Sequence, residues 1–184
     1  MKRLFFVRHG ESEADAKGVW SPLNANLTST GRWQATAAGC DARERGLGFD
    51  KIISSPLPRA HETARLIADE LDYDIRDIEL FNLLSERQWG ELTGQKREDF
   101  FTDGRTLKHI EQLATPEKIH ELQMRAHNAL SAIYDRPEDD ILLVGHNAFG
   151  RALLRAIKGI PAEAEFAPNI DDQDIPHSRI IQLI

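Results

Sequence analysis

Leu4-Phe5-Phe6-Val7-Arg8-His9-Gly10 is the stretch that decides the fold of this chain. Four consecutive apolar residues are too few for a buried helix, but they suit a strand covered on both faces, and the glycine behind Arg8-His9 marks a turn. The same pattern returns twice. Ile52-Ile53 leads into Ser54-Ser55-Pro56, and Ile141-Leu142-Leu143-Val144 leads into Gly145-His146. Arg179 to Ile184, with Ile180, Ile181, Leu183 and Ile184, is a fourth strand candidate.

Between these runs the apolar period changes to that of helices. Ala35, Ala38 and Ala42 follow a Thr28 cap, and Ala60, Ala64, Ile67, Ala68 and Leu71 follow Ser55-Pro56. A second cap-and-proline signal, Thr115-Pro116, precedes the stripe Ile119, Leu122, Ala126, Ala129, Leu130 and Ile133. Phe149, Ala152, Leu153, Ala156 and Ile157 form another stripe behind His146. Strands alternating with helices imply an α/β fold, a three-layer α/β/α sandwich with a mainly parallel central sheet. One domain over 1–184 is expected, with a charged, irregular insertion at about 95–115 as its lid or specificity element.

The 184 residues are 41% hydrophobic and 29% charged, enough to bury a core without disulfides or structural metal. The single cysteine, Cys40, excludes a disulfide framework within one chain and fits a reducing, cytoplasmic setting. The basic start at Lys2-Arg3 is followed by too short an apolar run for a signal peptide or membrane anchor. A net charge of −7 argues against a nonspecific nucleic-acid binder, while leaving room for a local cationic cleft.

Open α/β sheets bind ligands beyond the carboxyl ends of their strands, where helix N-termini face anions. Three segments bring unusual residues to that edge: Arg8 and His9 after the first strand, Arg59 in the helix after the second, and His146 after the third. Two guanidinium groups and two imidazoles on one rim make a phosphate-sized receptor. The other five histidines, His61, His109, His120, His127 and His177, fall elsewhere in this reading and are expected to be solvated or packed side chains.

In these motifs the chain resembles the histidine phosphatase superfamily, a phosphoglycerate mutase-like group, and within it a short phosphatase-type branch. The likeness runs through Phe6-Val7-Arg8-His9-Gly10-Glu11-Ser12, Leu27-Thr28 with Gly31 and Gln34-Ala35, and Ser54-Ser55-Pro56 with Arg59-Ala60 and Thr63-Ala64. It continues through Leu84-Ser85-Glu86-Arg87 with Gly90 and Gly94, and Val144-Gly145-His146. The resemblance implies that His9 is the nucleophile, that Arg8, Arg59 and His146 form the phosphate pocket, and that Glu86 donates the proton. Glu91, Glu11 and Glu13 are the other carboxylates within reach of that role. The resemblance also places asparagine where this chain has Asp15, a would-be substrate contact whose charge repels phosphate unless it is protonated, turned away or paired with a cation.

The expected reaction is hydrolysis of a phosphomonoester through a phosphohistidine on His9, with neither cofactor nor metal. His120, Glu121 and His127 share a helix but miss the His-Glu-x-x-His spacing. Cys40 lacks the Cys-x5-Arg spacing of a thiolate phosphatase, because Arg45 comes one position early. A phosphomutase and a non-catalytic phospho-ligand module are the competing readings. The resemblance implies that mutases carry a long insertion between the acid and the second histidine. Here 60 positions separate Glu86 from His146, which favours water as acceptor. The expected partner is a small phosphorylated substrate, with a phosphoprotein also open. No nucleic acid and no membrane is expected, and the oligomeric state is open. Lys96, Arg97, Arg105, Lys108 and His109 would meet a second phosphate or form a solvated charge run.

Overall fold

The computed structural model describes residues 2–102, 104–163 and 174–184, so Asp103 of the expected insertion lies outside them. The chain begins with β1 (Arg3–Arg8), α1 (Glu13–Ala16) and α2 (Ser29–Glu44), followed by β2 (Lys51–Ser54), α3 (Pro58–Glu70) and β3 (Glu79–Leu80). Then come α4 (Arg97–Thr102), α5 (Leu107–Ile110), α6 (Ile119–Tyr134), β4 (Asp140–Gly145), α7 (Asn147–Ile157) and β5 (Ile181–Gln182). No helix of the described residues is long and apolar enough to cross a membrane.

The five strands form one sheet in the order β3-β2-β4-β1-β5. β3, β2, β4 and β1 run parallel, and β5 closes the edge antiparallel to β1. Alternation along each strand feeds two cores. Leu4, Phe6, Ile53, Ile141 and Leu143 face α6 and α7, whereas Phe5, Val7, Ile52, Leu142 and Val144 face α2 and α3. The expected three-layer sandwich is therefore the observed one, because apolar residues at every strand position require cover on both sides.

Several local expectations shift. Thr28 caps α2 as expected, its Oγ1 accepting from Gly31 N at 3.0 Å. The α3 helix starts at Pro58 instead of near Ser55-Pro56, and Ser55 Oγ accepts from Leu57 N at 3.2 Å in the turn ahead of it. α6 begins at Ile119 behind Lys118, while Thr115 Oγ1 accepts from Glu91 N at 2.7 Å. In both cases the small polar residue organises the preceding loop rather than the helix end. The C-terminal strand shortens to two residues, and β3, too short for any period to show, was not expected.

The insertion is also more ordered than its charge suggests. It holds α4 and α5, whose Phe100 and Ile110 bury against Trp20 and Leu92 in a third apolar cluster. Backbone bonds tie it down, Trp20 N donating to Gln95 O at 2.9 Å and Arg97 N to Gly18 O at 2.9 Å. Arg105 lies over the Phe100 ring, 4.6 Å from its centroid. Neither helix is long enough to display a stripe, and the partner that buries them, Trp20, is distant in sequence.

Candidate active site

The parallel register places the site. β1 and β4 pair with Arg8 opposite Gly145, so the next residues, His9 and His146, emerge side by side with ring centroids 5.0 Å apart. β2 pairs with β4 up to Ser54 opposite Val144, and Ser55 N donates to Val144 O at 2.9 Å, which brings Ser55 and the start of α3 to the same edge. Arg59, in the first turn of α3, is then directed at His9, its Nε donating to His9 Nε2 at 3.2 Å.

The hydrogen bonds define the state of the nucleophile candidate. His9 Nδ1 lies 2.7 Å from Gly10 O, a contact in which the ring must donate, so the lone pair resides on Nε2 where Arg59 also points. Burial, reinforced by the Arg59 charge, holds the His9 pKa well below its usual value despite the opposing pull of Asp15 and the Gly10 carbonyl. The ring is thus neutral near pH 7, as a nitrogen nucleophile must be.

His146 caps α7 and is fully buried. Burial and then the charges of Arg59, Arg8 and Arg125 push its pKa far down, so it too is neutral. Its Nε2 is 2.8 Å from Ser55 Oγ, while Nδ1 is buried with no hydrogen-bond partner among the described residues. The tautomer in which the Ser55 hydroxyl donates to Nε2 carries the ring proton on Nδ1, where it can meet a phosphoryl oxygen. Arg8 Nε is likewise buried and has no hydrogen-bond partner among the described residues. The terminal nitrogens of Arg8 are engaged, NH1 with Ile175 O and NH2 with Asp15 Oδ1, each at 3.1 Å.

Asp15 therefore pairs with a cation. Its Oδ2 also accepts from Ser12 N at 3.0 Å and Ser12 Oγ at 2.6 Å. Burial alone would raise this carboxyl, but His9, Ser12 and Arg8 outweigh it and bring the pKa to about 2. Asp15 is thus ionised at neutral pH and is no proton donor there.

Of the carboxylates considered for that role, Glu86 is the buried one at the pocket. Its oxygens accept from Arg87 N at 2.9 Å, Phe149 N at 3.1 Å and Ala148 N at 3.3 Å, so it sits against the N-terminus of α7. Its charge reaches Arg59, partly offsetting the burial that lowers the pKa of that guanidinium. Glu11 instead accepts from Thr28 Oγ1 at 2.7 Å, Glu91 faces Thr115, and Glu13 is exposed in α1.

One expectation is corrected. His177 is not a bystander: its backbone bridges to Arg8, and Ser178 N donates to Arg8 O at 2.9 Å. The His177 ring centroid is 5.7 Å from that of His9, and its Nδ1 is 2.8 Å from His9 O. Burial and Arg8 lower its pKa, against the His9 carbonyl, Asp15 and Glu11. No motif in the sequence marks this residue, because it reaches the site through a strand-end bridge 168 positions from His9. It also joins a grouping that spacing along the sequence does not show, since ligand atoms of His9, Asp15 and His177 all lie within 4.8 Å of one another. The other histidines stay where expected. His109 Nδ1 accepts from Thr106 N at 2.9 Å, His127 Nδ1 contacts Gln123 O at 2.9 Å, and His61 and His120 lie on helices α3 and α6. Cys40 hydrogen-bonds Glu70 on the outer side of α2, away from this edge.

A sequence model of the histidine phosphatase superfamily (branch 1) matches residues 4–176, from β1 to the segment that meets Arg8. The chain belongs to that superfamily. Among its relatives is the probable phosphoglycerate mutase GpmB of Salmonella paratyphi A, 34% identical over 178 residues, covering 90% of this chain and 79% of the relative. The fold is shared with a mycobacterial glucosyl-3-phosphoglycerate phosphatase (TM-score 0.80, 20% identity, 99% of this chain and 92% of the other). It is shared equally with a putative alpha-ribazole-5'-P phosphatase of Escherichia coli (TM-score 0.79, 22% identity, 98% and 90%). The chain's relatives thus include proteins named as mutases, and the structures that share its fold include proteins named as phosphatases.

Proposed function

We propose that this histidine phosphatase hydrolyses a phosphomonoester through a covalent phosphohistidine on His9. The observation that carries the reading is the His9 tautomer: Nδ1 donates to the Gly10 carbonyl, so a neutral, buried Nε2 faces the Arg59 guanidinium. Nε2 attacks phosphorus in line while Arg8, Arg59 and His146 Nδ1 hold the non-bridging oxygens. Glu86 gives its proton to the departing alkoxide, then takes one from the water that attacks the phosphohistidine. Asp15, tied to Arg8 and Ser12, keeps Arg8 oriented instead of meeting phosphate.

The remainder of the substrate meets the loop at 19–23 and the insertion. Pro22 and Leu23 carbonyls accept from Arg59 NH1 at 3.1 and 3.4 Å, and Trp20 joins that loop to Phe100 and Ile110 of the insertion. The insertion thereby acts as a specificity element beside the phosphate pocket. Its chemistry requires no cofactor and no divalent ion, as two guanidinium groups supply the charge.

A reaction with labelled substrate, quenched during turnover, tests the mechanism. The expected phosphoenzyme survives alkali, decays in acid and is absent from His9→Ala, and turnover persists in excess chelator. An alkali-labile acyl phosphate, or an intact phosphoenzyme in His9→Ala, would refute it. The names of the relatives make mutase activity the competing outcome. With 3-phosphoglycerate and a bisphosphoglycerate primer, release of inorganic phosphate is expected to exceed formation of 2-phosphoglycerate, and the reverse ratio identifies a mutase.

A further inference from the structure

His9, Asp15 and His177 are arranged as a ligand set as well as a part of the pocket. Metal-binding histidines are characteristically oriented by donating their other ring N–H to a carbonyl or carboxylate. Both rings do so here, His9 Nδ1 to Gly10 O at 2.7 Å and His177 Nδ1 to His9 O at 2.8 Å. Each ring then carries its lone pair on Nε2, and that of His9 accepts from Arg59 Nε at 3.2 Å. The third donor, the Asp15 carboxylate, is held by Ser12 N and Oγ and by Arg8 NH2. One ligand atom from each of the three residues lies within 4.8 Å of those of the other two. A tetrahedral cation at ligand distances of about 2.0–2.2 Å needs them roughly 3.4 Å apart, so side-chain shifts of about an ångström close the site.

We propose that this trio binds a divalent cation of the zinc class and that binding switches the enzyme off. Two imidazole nitrogens and one carboxylate select a borderline cation over magnesium or calcium, which prefer all-oxygen ligands. The cation displaces Arg59 Nε from His9 Nε2 and takes the lone pair that would attack phosphorus. Metal and phosphomonoester then exclude each other, and inhibition is competitive. This consequence rests on His9 being the nucleophile, but the binding itself does not.

Two measurements separate the parts. Cobalt(II) titration of the metal-free protein is expected to produce the visible absorption of a tetrahedral site, lost in His177→Gln and in Asp15→Asn. In parallel, zinc should inhibit hydrolysis competitively with substrate while magnesium at the same concentration does not. The zinc inhibition constant should rise roughly tenfold or more in His177→Gln, each variant being referenced to its own rate in chelator. Inhibition that is unchanged in both variants, is non-competitive, or is absent with no cobalt spectrum overturns the proposal. A cobalt spectrum without inhibition would retain the ligand set and reject the switch. Hydrolysis undiminished by His9→Ala would remove the proposed mechanism while leaving the cobalt result standing.

Discussion

At the residue scale, the site works through protonation states set by burial and by short contacts. His9→Ala should abolish turnover while leaving the thermal melt near that of the parent, because the ring packs at a polar rim and not within either core. Glu86→Gln should slow the chemical step by about a hundred- to ten-thousandfold, the usual range for a general acid. Substrates with good leaving groups, which need no proton, should largely escape that loss. A p-nitrophenyl phosphate to alkyl phosphate comparison in Glu86→Gln checks this, and equal losses on both would point to a positioning role at the α7 N-terminus.

At the element scale, the loop that carries His9 is clamped against the start of α2 by contacts that leave no room for a side chain. A Cβ on Gly10 would lie 2.2 Å from Gly31 O, and one on Gly31 would lie 2.0 Å from Glu11 O. The same joint carries Thr28 N to Glu11 O at 3.0 Å and Gly10 N to Thr63 Oγ1 at 3.1 Å. Gly10→Ala must push backbone from backbone, so it should cost about 1–3 kcal/mol, within the usual range for overpacking. It should also lower kcat by displacing His9, whereas Gly46→Ala, at the exposed end of α2 and outside the site, should affect stability without changing kcat. Parallel melts and steady-state kinetics on the two variants separate joint from bystander.

At the scale of the whole molecule, the buried neutral histidines make the fold acid-sensitive. The pKa values of His9 and His146 lie well below the usual value when folded and return to about 6.5 when unfolded. Below about pH 6.5 the unfolded chain therefore binds protons that the folded chain does not, and stability falls as pH falls. Two such groups give a slope approaching about 2.7 kcal/mol per pH unit until the folded rings themselves titrate. Denaturant melts between pH 7 and 5 should show this loss. His146→Gln should flatten the slope, with His9 and the lowered His177 carrying the remainder, and a slope unchanged by that variant would show that other groups govern it.

The sequence by itself determined β1, β2, β4, the four long helices and the layered architecture, because an apolar run at Leu4–Val7 or Ile141–Val144 admits few other fates. It also marked Arg8, His9, Arg59, Glu86 and His146, since each sits at a strand end, in a first helical turn or within a local motif. What it left open was decided by pairings between distant segments. Whether Asp15 repels phosphate depended on finding Arg8 beside it at 3.1 Å. The insertion became ordered only through Trp20, which supplies the apolar partner for Phe100 and Ile110. His177 entered the site because its segment bridges the carboxyl end of β1, a backbone contact that no local pattern encodes. Periodicity reports which face of an element is buried, but the neighbours that bury it, and the charges they bring, are fixed only when the chain has closed on itself.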